Sequence, residues 1–125
     1  MSIHHTTGSN CPLCALKLVQ AHPDLRAWFT RVKAKFPSIH ISWSYRDEES
    51  QEQAFKDGKS HLHYPQSAHN KTPALALDLF ELSEGGNAVW LRSTLKCISD
   101  EFGAGIRWGG TWVHLGDFDH FEIVV

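Results

Sequence analysis

Residues 74–82 read ALALDLFEL, an apolar run with a carboxylate, Asp78, at its centre. Pro73 precedes the run and the turn-forming stretch Ser83–Asn87 follows it, which is the pattern of a buried strand. Any fold open to this chain must bury that strand and still satisfy Asp78. A carboxylate among apolar side chains is expensive unless a cation, a metal ion or hydrogen-bond donors compensate it. Taken alone, such a residue is most often simply hydrogen-bonded. Two neighbouring segments point further. The loop before the strand carries Ser67-Ala68-His69, and the C-terminal segment GDFDHFEI packs Asp117, His120 and Glu122 together. Strand alternation places His120 and Glu122 on one face, with Phe121 and Ile123 on the other.

The remaining elements follow from local patterns. Residues 1–10 are polar and turn-rich and are expected to be mobile, and residues 12–21 predict a short helix. Asp24 to Phe36 is a stronger helix, with Leu25, Trp28, Phe29, Val32 and Phe36 on one stripe between Pro23 and Pro37. Ile39 to Tyr45 alternates as a half-buried strand, with Ile39, Ile41, Trp43 and Tyr45 facing one way and His40, Ser42 and Ser44 the other. Asp47 caps a helix to about Phe55, ended by Asp57-Gly58. A long polar loop, 58–73, then leads to the 74–82 strand, and a loop of that length in a compact domain is usually functional. Asn87 is expected to cap a helix to about Phe102 that draws on Val89, Leu91, Leu95 and Ile98, with Gly103 and Gly105 ending it. The rest reads as a Gly- and aromatic-rich loop and a short C-terminal strand. Helices and strands mix without a βαβ rhythm, so the expected class is α+β, a small antiparallel sheet flanked by helices.

Composition limits the functions available. With 125 residues and 42% hydrophobic content, the chain is expected to form a single domain, 1–125, able to bury a core without disulfides. The net charge of -2 argues against nucleic acid as a partner. The N-terminus lacks a basic start followed by an apolar run, so no signal peptide is expected, and no segment is long enough to insert stably in a membrane. Three cysteines give no complete disulfide framework, which suits synthesis in the cytoplasm. Nine histidines raise the prospect of a metal site.

Two histidines and one carboxylate from separate segments make a set of the catalytic zinc type, with the fourth position left for water. Structural zinc sites are usually closed and cysteine-rich, and this set is neither. A carboxylate near the metal suits the role of general base, and spacing alone leaves Asp117 and Asp119 as alternatives.

Four blocks carry a family resemblance: SYRDEESQEQAFKDG (44–58), SAHNKTPALALDL (67–79), RWGGTW (107–112) and DFDHFE (117–122). With these the chain resembles the D-alanyl-D-alanine metallopeptidase family, which includes phage L-alanyl-D-glutamate endopeptidases and D-Ala-D-Ala dipeptidases and carboxypeptidases. The resemblance implies the fold shared by hedgehog and D-Ala-D-Ala peptidase domains, with zinc at one end of the sheet. It implies His69, Asp78 and His120 as the ligands of one catalytic Zn2+, Asp117 as the base, Arg46 as substrate and oxyanion contact, and Ser67 near the substrate cleft. Gln53 follows the family pattern after the Arg as a residue that supports the fold. The implied substrate is a peptidoglycan stem peptide, cut by a monomer. Compact chains of this kind resemble phage or prophage lysis enzymes, which reach the wall after a holin opens the membrane. The alternatives are a D-Ala-D-Ala carboxypeptidase or dipeptidase, and a zinc-containing binding module that does not cut. The chain departs from many members in lacking a Gly after His69 and in a longer stretch, through Lys71-Thr72-Pro73, before Asp78.

Other residues read more plainly. Cys11-Pro12-Leu13-Cys14 is half a zinc knuckle that His4, His5 or His22 would have to complete, and two thiols at a helix start is the simpler expectation. Cys97 is expected in the core. His61, His63 and His114 are expected to be solvated. Trp108, Trp112 and Tyr64 suit the core more than a groove, and Gly109-Gly110 suits a tight turn.

Overall fold

The computed structural model describes residues 12–111 and 119–124. The elements run α1 (Pro12–Leu18), α2 (Pro23–Lys35), β1 (Ile39–Trp43), α3 (Glu48–Lys56), β2 (Ala76–Leu82), β3 (Ala88–Val89), α4 (Arg92–Phe102), β4 (Ile106–Trp108) and β5 (His120–Ile123). Short 3-10 turns occupy Ala68–Asn70 and Gly109–Thr111. The sheet order is β1-β2-β5-β4, with β3 also on β2, and every pairing is antiparallel. The architecture is the expected α+β one, a small antiparallel sheet with helices. Among the described residues no helix is long and apolar enough to cross a membrane.

Cross-strand partners sort the sheet into two faces. Leu77 pairs with Phe121 and Leu79 with Ile41, and these side chains share one buried core with Leu25, Trp28, Phe29 and Val32 of α2 and Leu95 and Ile98 of α4. Asp78 pairs with His120, Ala76 with Glu122 and His40 with Phe80, so the opposite face carries the polar groups. The stripe on α2 is as expected. Pro23 stands in its first turn, where no donor is lost, and the His22 ring caps the helix by accepting the Asp24 N–H at 3.1 Å. Trp28 Nε1 donates to the Phe102 carbonyl at 2.6 Å and ties α2 to α4.

The alternation expected along 39–45 fails after Ile41. Ile41 faces Leu79, and Trp43, two residues on, faces Asp78, one residue back, so the strand bulges there. The bulge moves Trp43 off the core face and onto the face of Asp78, where it is 38% exposed. His40, expected to face outward, is fully buried, with Nδ1 3.4 Å from Cys14 Sγ and Nε2 3.4 Å from Lys33 Nζ.

Three further expectations are corrected. Asn87 does not cap a helix. Gly86 has φ 81°, open to glycine at no cost, and the tight turn it permits folds Ala88–Val89 back onto β2 as β3. Helix α4 starts only at Arg92, and its N-cap, Leu91, makes no side-chain capping bond. The segment at Arg107–Trp108 is strand β4, not loop, and Gly110 is required by packing, since an added Cβ would come within 2.2 Å of the Trp108 ring. Cys97 is exposed, because Leu95 and Ile98 take the inner face of α4. The expectations for residues 1–10, Cys11, Trp112, His114 and Asp117 lie outside the described residues.

Candidate metal centre and active site

Each member of the expected ligand set is held by a different local device. His69 sits in the 3-10 turn that interrupts the long loop. Ser67 caps this turn, its hydroxyl accepting the His69 N–H at 3.2 Å, while Asn70 Oδ1 accepts the Ser67 N–H at 3.0 Å. Asp78 comes from β2, and His120 opens β5 directly opposite it. The side chains of all three are buried. Asp78 Oδ1 lies 3.1 Å from His69 Nε2 and 3.2 Å from His120 Nδ1, and the three ligand atoms are within 4.8 Å of one another.

The donor chemistry of this cluster fits zinc. His69 Nδ1 donates to the Ser44 carbonyl at 2.7 Å, which leaves Nε2 as its lone-pair nitrogen. His120 Nε2 donates to Glu122 Oε1 at 2.8 Å, which leaves Nδ1. Two lone pairs and a carboxylate oxygen therefore converge, an arrangement that repels itself unless a cation or protons lie among them. Metal bonds of about 2.0–2.1 Å at tetrahedral angles imply ligand atoms about 3.3 Å apart, and the two Asp78 separations match this.

Charge at the cluster is strongly organised. Burial works to raise the pKa of Asp78, but where protons rather than a metal ion lie among the three groups, the charge of His69 and the hydrogen bonds from His120 and His69 outweigh it and hold the carboxyl well below the usual carboxylate range. The bond to His120 likewise lowers Glu122, against the opposing effect of its burial and with help from Arg107. On the other side of Asp78, Arg46 Nη2 donates to Oδ2 at 3.3 Å. Arg46 is itself buried, lies 5.0 Å from the centroid of the Trp43 ring, and donates from Nη1 to Gln51 Oε1 at 3.2 Å. Its Nε has no hydrogen-bond partner among the described residues.

A cleft of about 640 Å³ opens beside the cluster. Asp78, Arg46, Trp43, Trp90, Glu49 and Asp119 are among the residues that line it. Trp43 and Trp90 are both exposed, and together they give the cleft an apolar wall. Ser67, expected near the substrate, is buried, with its hydroxyl engaged by the His69 turn. Of the two candidate bases, Asp119 lines the cleft, and Asp117 lies outside the described residues.

Several contributors were not singled out from the sequence. Gln51, not Gln53, is the glutamine that touches Arg46, and Gln53 is exposed on the cleft wall. Gln51 lies one turn before Phe55, but Phe55 is exposed, so apolar spacing along α3 does not mark Gln51 as buried. Asn70 was the residue next to a proposed ligand and nothing more. The Ser44 carbonyl, being backbone, leaves no signal in composition or spacing. His63 pairs with Glu52 and packs on Phe55, and Trp108 is in the core.

No protein-family model matches the chain, and no curated protein matches it in sequence. Among solved structures, the crystal structure of the Serratia marcescens L-Ala D-Glu endopeptidase ChiX is similar, with a TM-score of 0.70 at 22% identity over 89% of this chain and 86% of that one. At that identity the likeness is one of fold alone: the α+β architecture is one this chain shares with ChiX.

Proposed function

We propose that the chain is a zinc-dependent peptidase that hydrolyses a peptidoglycan stem peptide, at the bond between L-alanine and D-glutamate. The observation that carries this is the meeting of His69 and His120 on one oxygen of Asp78, with Arg46 on the other, beside an open cleft. The fold shared with an L-Ala D-Glu endopeptidase supports the choice of bond. A zinc ion held by His69, Asp78 and His120 would supply Lewis acidity and a water acidified toward neutral pH.

The chain's own groups do the rest. Asp117, three residues before His120, takes a proton from the attacking water and delivers it to the leaving amine. Arg46 contacts the substrate and offsets negative charge on the scissile carbonyl oxygen, a cation held in place by burial and by its bonds to Asp78 and Gln51. Ser67 serves through the His69 turn. The enzyme acts on the cell wall in the manner of phage or prophage lysis proteins.

The test is hydrolysis of purified peptidoglycan by zinc-loaded protein, with fragments identified by mass spectrometry. The wild type is expected to release fragments with a new D-Glu amino terminus, and Asp117→Ala to keep its zinc and lose hydrolysis. Asp119→Asn should retain most of the activity. Release of free D-Ala instead would make the protein a carboxypeptidase, and hydrolysis of the free D-Ala-D-Ala dipeptide would make it a dipeptidase. A zinc-bound wild type that releases nothing would sink the catalytic reading and leave a binding module.

A further inference from the structure

Gln51, in the first turns of α3, is a fully buried polar side chain whose amide is engaged at both ends. Arg46 Nη1 and Asn70 Nδ2 both donate to its Oε1, each at 3.2 Å. Its Nε2 donates to the Leu62 carbonyl at 2.7 Å and to Ser60 Oγ at 2.9 Å. A guanidinium cannot accept and a carbonyl cannot donate, so these partners fix which way the amide points. Asn70 completes the brace. Its Nδ2 also donates to the Arg46 carbonyl at 2.9 Å, and the Arg46 N–H donates to the His69 carbonyl at 2.9 Å. The backbone and head group of Arg46 are thus held by the same few residues that hold the His69 turn.

We propose that Gln51 is the positioning residue for Arg46, fixing the guanidinium so that Nη2 meets Asp78 while Cζ stays 5.0 Å from the centroid of the Trp43 ring. The geometry stands on the hydrogen bonds alone; the kinetic consequence rests on the peptidase reading. Two anchors, Asp78 on Nη2 and Gln51 on Nη1, stop rotation of the fork. Without the second, the cation is free to tilt, and misplacement by about 1 Å near a reacting centre can cost about a hundredfold in rate. Gln51 is fully buried, so its effect passes through the groups it holds, Arg46 and, by way of Asn70, the His69 turn; retained zinc binding separates the first route from the second.

Two variants test this. Gln51→Met keeps the volume and removes the acceptor. Gln51→Glu keeps an oxygen for Arg46 and Asn70, but sets its second oxygen against the Leu62 carbonyl and leaves Ser60 to donate to it, so it costs stability while keeping the Arg46 anchor. The first readout is the Arg46 Nη–H signal in guanidinium NMR of the zinc-loaded protein, assigned by its loss in Arg46→Lys. The signal should be resolved and slow to exchange in the wild type, persist in Gln51→Glu and vanish in Gln51→Met. The second readout is kinetic. Gln51→Met should lose about tenfold or more in kcat, with KM within about threefold and zinc still bound, and Gln51→Glu should stay within about threefold of wild type.

A Gln51→Met protein that folds and keeps the Arg46 signal overturns the proposal. So does a loss of thermal stability in both variants with kcat per folded molecule unchanged, the signature of a merely structural residue. If Gln51→Met fails to fold, loss of the Arg46 signal from a folded Gln51→Glu protein overturns it equally. A wild type that shows the expected signals but cuts no peptide would refute the peptidase reading and leave the positioning intact. A Gln51→Met enzyme that cuts as well as the wild type would do the reverse.

Discussion

Asp78 gives its two oxygens separate partners, Oδ1 to the paired histidines and Oδ2 to Arg46, and this division explains how a carboxylate survives inside an apolar strand. The histidines are fixed in turn by acceptors behind them, the Ser44 carbonyl for His69 and Glu122 for His120. Only the second can be changed without moving backbone. A carboxylate behind a ligating imidazole orients the ring and raises its basicity, and losing such a partner typically costs about 10–100-fold in metal affinity. Glu122→Gln retains an oxygen able to accept from Nε2 but loses the charge, so zinc affinity should fall about tenfold, and Glu122→Ala should approach about a hundredfold. Competition against a chelator of known affinity measures both. His69→Ala, which removes a ligand outright, sets the scale and should bind no zinc at this site. Unchanged affinity in Glu122→Ala would reduce Glu122 to a partner of Arg107, whose Nη1 lies 3.9 Å away.

At the scale of elements, what the sequence made legible is what local pattern can carry. Helix α2 has four apolar positions in phase and a proline at its start; α3 has an aspartate cap whose side chain accepts the Ser50 N–H at 2.8 Å; β2 is an apolar run between breakers. The three metal-ligand candidates were legible because a carboxylate at the apolar centre of such a strand stands out, with a histidine in the segment before it and another in the C-terminal segment. Register is not local, which is why the β1 bulge and the turn of Trp43 toward the cleft were missed. Strands β3 and β4 are two and three residues long, too short to show a period, and β3 exists only because β2 offers it an edge. The long loop likewise hid a latch to α3. Tyr64 N–H donates to Glu52 Oε1 at 2.9 Å, and His63 Nδ1 lies 2.7 Å from Oε2. The bond from His63, then that from Tyr64, holds the Glu52 carboxyl below its ordinary value. A carboxyl whose pKa is depressed on folding contributes stability that is present above its unfolded value, about 4.3, and is lost as pH falls through the lower folded value. Hydrogen-exchange protection of the Tyr64 amide, corrected for intrinsic rates, should therefore hold above about pH 4.3 and decline below it. Glu52→Gln should flatten that dependence. Wild-type protection that does not change down to about pH 2 would show that Glu52 does not hold the loop.

For the whole molecule, the sheet separates two tasks: one face of β2 and β5 is core, and the other gathers the ligands from segments far apart in sequence. An unfolded chain cannot present His69, Asp78 and His120 to one ion, so zinc bound here should stabilise the native state by mass action. At a free concentration about a hundredfold above the dissociation constant the gain is about 2.7 kcal/mol. A chain of this length moves its melting midpoint by roughly 3–5 °C per kcal/mol, so saturating zinc should raise Tm by about 8–14 °C and a chelator should reverse the rise. The variants divide sharply. Asp117→Ala, which alters no proposed ligand, should show the full shift, whereas His69→Ala and His120→Ala should show almost none. The buried Cys14–His40 pair gives the experiment its alternative outcome, since a thiol and an imidazole 3.4 Å apart could also bind metal. A zinc-dependent rise in Tm that survives His69→Ala would place the stabilising ion away from Asp78. A rise abolished by His69→Ala and kept by Asp117→Ala would tie the ion to the ligand set that the fold assembles.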